Sequence, residues 1–209
     1  MVDENFEERI KRNNAYYDAF APQVKIRSED RDFNDAFGRF LAVLPNGKTV
    51  LDVGCGAGNH LAVFKSKGVK SIGVEPSPQM RVLASEFGNV IDGTFETLKA
   101  MQFDNVGGVW AASSLLHVPN DEISRVFNDI AHLLPSDGAF YFTVRLGEGS
   151  KWDRWDDAKG DISRFLQLFN EDELLAKLEG AQFRISSKWI EDSYWGRPSR
   201  WLSVIAQRA

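Results

Sequence analysis

Thr49 to Val53 is a short β-branched and aliphatic run that breaks abruptly into Gly54, Gly56 and Gly58, and a helical pattern (His60, Leu61, Ala62, Val63, Phe64) follows it. No other stretch limits the possible folds as tightly. The run has the length and composition of one buried strand. A strand that turns through glycines into a helix lets a ligand approach bare backbone, and it aims the helix N-terminus at that ligand. A second apolar run, Ser71-Ile-Gly-Val74, ends on Glu75, about twenty residues beyond the first glycine. An acidic side chain at that point can accept hydrogen bonds from both hydroxyls of a ribose. Together these features describe a site for an adenosine-containing cofactor.

The glycine spacing narrows the choice. A dinucleotide fingerprint reads G-x-G-x-x-G, whereas here Asn59 occupies the place of its third glycine and Asp52 stands two residues before the first. The pattern Asp52-x-Gly54-x-Gly56-x-Gly58 resembles the first motif of the class I S-adenosylmethionine (SAM) dependent methyltransferases. SAM has no phosphate but carries a sulfonium, an ammonium and a carboxylate, so an acid in the loop suits it. The resemblance covers roughly residues 13 to 207. It implies SAM as cofactor and S-adenosylhomocysteine (SAH) as product, with Asp52, Gly54, Cys55, Gly56 and Gly58 around the loop and Glu75 on the ribose. It also implies that Pro76 follows the acid, that Met80 lies near the adenine, and that Phe95 packs on the ring. Most relatives have an acid where Thr94 stands; Thr94 can hydrogen-bond there without a charge. Ala112 and Ser113, at the carboxyl end of a fourth strand, are expected near the methionine. Asn13 to Phe20 reads as an amphipathic helix resembling the lid of many small-molecule methyltransferases, from which Tyr16 or Tyr17 could reach the cofactor carboxylate or simply pack.

Elsewhere β and α patterns alternate. Ser77 is a candidate N-cap with Pro78 at the first helical position, and Asn170-x-x-Glu173 looks like a capping box. Val106 to Ala111, Ala139 to Val144, Phe183 to Ile190 and Trp201 to Ala206 read as strands, the last two as an antiparallel hairpin, with an amphipathic helix over Asp121 to Leu134. The expected fold is α/β: a Rossmann-like, mainly parallel seven-stranded sheet with helices on both faces and an antiparallel last strand. It is expected to form a single domain of residues 1–209. That domain divides into an N-terminal helical lid (1–45), a cofactor-binding core (46–145), and a substrate-side loop with the C-terminal strands (146–209).

Composition sets limits. With 209 residues of which 43% are hydrophobic, the chain can bury an ample core. No apolar run reaches the roughly 18 residues of a membrane span, and the charged N-terminus is unlike a signal peptide. Cys55 is the single cysteine, which excludes an internal disulfide and fits a reducing cytoplasm. A net charge of −5 and the lack of a basic run lower the expectation of nucleic-acid binding. The expected partner is therefore a small-molecule substrate in the cytoplasm, with no nucleic acid and no membrane.

Methyl transfer is an in-line displacement for which orientation is the main requirement, and a general base is needed only where the acceptor must lose a proton. His117, just after the fourth strand, is the one candidate base; the alternative is a histidine that steadies the turn before Pro119 through a backbone carbonyl. His60 is read as solvent-facing, and His132, late in a helix, as a surface or C-terminal capping residue. The histidines are scattered, so no metal is expected. The long stretch from Arg145 to Arg164 suggests a lid or binding loop, and Trp195 to Trp201 is a turn rich in arginine and tryptophan. Arg145, Arg164, Trp195, Arg197 and Arg200 are the candidate substrate-binding residues, the arginines for a carboxylate or phosphate unless each pairs with a neighbouring acid. The expected function is metal-independent methyl transfer from SAM to a small molecule. The alternatives are a non-catalytic SAM-binding regulatory protein or, against the glycine spacing, an NAD(P)-dependent oxidoreductase.

Overall fold

The computed structural model describes residues 6–29, 32–154, 162–192 and 199–209. The main sheet is built from β1 (Thr49–Val53), β2 (Ser71–Val74), β3 (Asn89–Ile91), β4 (Val106–Ala112), β5 (Ala139–Arg145), β8 (Phe183–Asp192) and β9 (Arg200–Arg208), in the spatial order β3-β2-β1-β4-β5-β9-β8. β1 to β5 pair in parallel. β9 inserts antiparallel between β5 and β8, so the last strand of the chain is the reversed one, as expected. From β1 the chain steps outward to β3, then returns to β4 on the other side. The carboxyl ends of β1 and β4 therefore flank the point where strand order reverses, the usual ligand crevice of such sheets.

Two apolar layers cover the sheet. On one side α3 (Asn34–Val43) and α4 (Asn59–Ser66) bring Phe37, Phe40 and Phe64 onto Trp110 of β4 and Tyr141 of β5. Trp110 is fully buried and stacks on Phe37 and Tyr141, with ring centroids 4.4 and 4.0 Å apart. On the other side α6 (Ile123–Leu133) and α7 (Glu171–Gly180) set Phe127, Ile130 and Leu178 against Phe140 and Phe142. α3 was not read from the sequence, where residues 1–45 formed one lid; its Phe37 and Phe40 place it in the core layer. α5 (Pro78–Ala84) opens as expected, with the Ser77 hydroxyl accepting from the Met80 N–H at 3.2 Å and Pro78 in the first turn.

The remaining elements roof the carboxyl edge of the sheet: α1 (Phe6–Ala19), α2 (Ala21–Glu29), and an antiparallel hairpin of β6 (Ser150–Arg154) and β7 (Ser163–Gln167). The sequence suggested a loop over the hairpin region. Its strands form because Trp152 and Phe165 pair across it at 5.9 Å, and such cross-strand aromatic pairs stabilise a ladder. α1 is tied to this hairpin by Asn13 Oδ1, which accepts from the Phe165 N–H at 2.7 Å. Arg12 adds a bond to Ser163 Oγ at 2.9 Å and lies over the Trp152 ring at 3.6 Å. At its other end, Asp18 accepts from Ser77 Oγ at 2.6 Å and from the Gln79 N–H at 3.0 Å, fastening α1 to the start of α5.

Trp110→Ala should lower folding stability by about 3–5 kcal/mol, the range for emptying a large aromatic site in a core. Urea unfolding followed by tryptophan-independent circular dichroism checks it through a lower midpoint at an unchanged slope.

Candidate active site

The turn after β1 adopts the conformation that only glycine takes cheaply: φ is +73° at Gly54, +55° at Gly56 and +87° at Gly58. Gly54 also has no room for a side chain, because a Cβ there would collide with that of Ser114, whose hydroxyl donates to the Val53 carbonyl at 2.6 Å. Gly58, the residue before α4, lies against the next layer instead; its Cβ would stand 2.8 Å from Ala84 Cα. The loop thus leaves bare backbone facing outward at Gly54, Cys55 and Gly56.

Glu75 closes this loop from the end of β2. Its carboxylate accepts the Gly56 N–H at 3.0 Å and the Ser77 N–H at 2.8 Å while only 5% exposed. A carboxylate offers about four lone-pair positions, so two remain for a ligand. Burial pushes its pKa from the ordinary 4.5 to about 7, against the opposing pull of the two N–H groups and of Arg81. Asp52 lies deeper. It is 1% exposed, neither carboxylate oxygen has a hydrogen-bond partner, and burial followed by the nearness of Glu75 drives its pKa well above the usual carboxylate range. The Cys55 thiol is likewise pushed up by burial and by both acids, which keeps it neutral.

A cavity of about 480 Å³ runs from this loop along the carboxyl ends of β1, β4 and β5 beneath α1 and the hairpin. That volume is within the range of small-molecule sites. Among the residues singled out from sequence, Tyr17, Gly54, Cys55, Gly56, Glu75, Pro76, Thr94, Phe95, Ala112 and Ser113 line it, as do His117, Arg145 and Arg164. Thr94 Oγ1 is buried there without a hydrogen-bond partner. Asp52, Gly58, Met80 and Arg200 do not line it. Asp52 sits under the loop, Gly58 is packed against Ala84, and Met80 is wholly buried with Ala21 and Ala57. Arg200 is exposed at the start of β9, opposite Asp192. Trp195 and Arg197 lie outside the described residues.

At the far end three elements meet on one histidine. His117 Nδ1 is 2.7 Å from the Phe165 carbonyl, which can only accept, so Nδ1 carries the proton. Nε2 then accepts the Tyr17 hydroxyl at 2.7 Å, and the Tyr17 oxygen accepts from Arg164 Nη1 at 2.9 Å. Arg164 Nη2 reaches Asp153 at 3.3 Å. Burial, then the Arg164 charge, lowers the His117 pKa to about 3, and burial raises that of Tyr17 in spite of Arg164. The expected base is therefore a neutral imidazole with both nitrogens engaged. His60, read from sequence as solvent-facing, lines the cavity instead. Its Nδ1 accepts the Trp110 Nε1–H at 3.0 Å and its ring stands edge-on to Phe33 at 4.6 Å. Nothing in the sequence spacing links His60 to Trp110, which lies fifty positions away on another element. Among the described residues no cluster of His, Cys, Asp or Glu could hold a metal ion, and no helix is long and apolar enough to cross a membrane.

A switch-point crevice with a glycine loop, an acidic strand end and a helical roof is the arrangement of a class I SAM-dependent methyltransferase. The sequence profile of the methyltransferase domain family matches residues 25–188, and the chain belongs to that family. An uncharacterized methyltransferase of Staphylococcus carnosus is 27% identical over 142 residues, spanning 64% of this chain and 68% of the relative. The crystal structure of a SAM-dependent methyltransferase from Methanosarcina mazei superposes with a TM-score of 0.71 at 18% identity, covering 85% of this chain and 99% of that one. The Burkholderia thailandensis 1,6-didemethyltoxoflavin-N1-methyltransferase, solved with 1,6-didemethyltoxoflavin and SAH, gives 0.74 at 19% identity over 100% and 93% of the two chains. At these identities the structures attest a common fold.

The raised Glu75 pKa has a signed consequence. A ligand whose hydroxyls donate to the ionised carboxylate should bind more tightly as pH rises from 6 and level off above about 7, with a proton released on binding at pH 6. Calorimetric titrations in buffers of different ionisation enthalpy would measure both. For the unliganded protein, the folded state holds the extra proton between about 4.5 and 7, so this group's contribution makes stability fall across that window as pH rises.

Proposed function

We propose that this methyltransferase moves the methyl group of SAM to a small-molecule acceptor by metal-independent in-line displacement. The observation that carries the reading is one continuous roofed cavity. It joins the Glu75 end to the strand ends where an acceptor would meet the methyl carbon, and its covering of α1 and hairpin suits a small molecule better than a polymer. The residues present suit the cofactor. The loop at Gly54 and Gly56 is a cradle that a Cβ or a non-glycine backbone would spoil, and the unpartnered Thr94 hydroxyl can accept from an adenine amino group. When bound, SAM supplies an electrophilic methyl group on a sulfonium.

The chain's own residues bind and orient. Glu75 would take both ribose hydroxyls, the loop backbone at Gly54, Cys55 and Gly56 would lie against the cofactor, and Phe95 would pack on the adenine. Ala112 and Ser113 would face the methionine portion, with Ser113 at φ +58° turning the backbone toward the cavity. Tyr17 would close over the cofactor from α1, and Arg145 and Arg164 would meet the acceptor. Positioning of this kind can contribute on the order of 7–11 kcal/mol to a displacement. α1 and α2 act as the lid in this reading, and α3 as part of the core.

Calorimetry with SAM, SAH and NADH tests the cofactor: the first two should bind at micromolar concentration and NADH should not. Binding of NADH alone would return the chain to the oxidoreductases. SAH should also form when a metabolite extract is supplied, and its repeated absence would favour a non-catalytic SAM-binding protein. Glu75→Ala should weaken SAM binding by about 1–3 kcal/mol, the loss of charge-assisted hydrogen bonds. Undiminished affinity in a folded variant would remove Glu75 from the site.

A further inference from the structure

Among the described residues the acceptor end of the cavity is rich in donors, and its histidine and its acid are both engaged. Arg145 at the end of β5, Arg154 of β6 and Arg164 of β7 all line it. Arg164 Nε is buried with no acceptor. The acid on this side, Asp153, is held by Arg164 at 3.3 Å, whereas Glu75 and Glu96 line the cavity at the loop and the segment after β3. His60 spends its Nδ1 lone pair on the Trp110 N–H, which leaves Nε2 as a donor. Tyr17 gives its proton to His117, and His117 has no nitrogen left over. Trp201 and Phe33 add aromatic surface around these groups.

From this arrangement we infer that the acceptor is a small carboxylic acid with an apolar body, bound as its anion and methylated on oxygen. The inference rests on the methyltransferase reading above and names its substrate class. An alcohol, a thiol or an ammonium acceptor must shed a proton during transfer, and among the described side chains at this end His117 has both nitrogens engaged and Asp153 is held in an ion pair by Arg164. A carboxylate arrives already ionised. Its oxygen forms the new bond to the methyl carbon while the carbon–sulfur bond breaks, leaving its electron pair on sulfur. The products are a methyl ester and SAH, and no proton changes place. One negative and one positive charge cancel in the step, which surroundings less polar than water favour over the separated ions. The arginines recognise the second carboxylate oxygen and the ring surface holds the body.

The test uses the full chain with SAM and a fixed panel: benzoate, phenylacetate, hexanoate and decanoate against benzylamine, phenol and thiophenol. The expected products are methyl esters of one or more of the acids, from which alkali releases methanol. At saturating SAM, kcat/KM for the acid should stay flat from pH 6 to pH 9. Titration of the same acid into the SAH complex gives a readout independent of turnover. Arg145→Gln should weaken that binding by about ten- to a hundred-fold, the worth of a charge-assisted pair, with SAH affinity unchanged and partial recovery in Arg145→Lys. Methylation confined to the amine, phenol or thiol would overturn the inference. So would SAH binding without binding or methylation of any acid, or a rate that climbs with pH. A wild-type chain that binds neither SAM nor SAH would instead bring down the methyltransferase reading itself.

Discussion

The Glu75 carboxylate holds the site together. It is taken out of water at the end of β2 and given two backbone N–H groups in return, one from the glycine loop and one from the start of α5. Burying a carboxylate is costly unless it is hydrogen-bonded, and the upward pKa records that the bonds offset the burial only in part. The residual cost is what a ligand with paired hydroxyls relieves. The same side chain therefore orders the loop, fixes the distance between β1 and β2 at their carboxyl ends, and leaves lone pairs turned to the cavity. Asp52, one layer below with no partner at all, makes the loop region richer still in unspent acceptors.

Above this floor the roof is assembled from segments remote in the chain. Tyr17 comes from α1, Arg164 from β7, and His117 from the short turn after β4; their hydrogen bonds span 100 and 147 positions. None of the three elements would hold its place alone. α1 leans on the hairpin through Asn13 and Arg12 and on α5 through Asp18. The neutral imidazole is suited to joining them because it accepts on one side and donates on the other, which neither an amine nor a carboxylate can do.

The parts of the molecule visible in the sequence are those governed by local rules. The strand–glycine–helix turn, the Ser77 cap with Pro78, the Asn170 N-cap (without the reciprocal Glu173 bond of a full capping box) and the β-α alternation each depend on neighbours within a few positions, and each stands where the spacing put it. The family match over residues 25–188 agrees with what the glycine and acid spacing suggested. What was not visible depends on pairing at a distance. The β6–β7 hairpin looked like a loop because charges interrupt its strands, and only the meeting of Trp152 with Phe165 explains it. The inward His60 is fixed by Trp110 on another strand. Met80 and Gly58 carry the right spacing for a ligand contact yet serve packing, since spacing along a helix does not say which face the next layer covers.

Gly54 and Ser114 carry a consequence for how this chain can vary. The hydroxyl of Ser114 braces the end of β1, and its Cβ fills the space a side chain at position 54 would need. Two positions sixty residues apart in the chain thus share one volume. A side chain gained at the first must be matched by one lost at the second and by a backbone that leaves φ +73°. Neither residue can drift by itself, so the two should persist or change together down a lineage, whatever acceptor the roof has come to select.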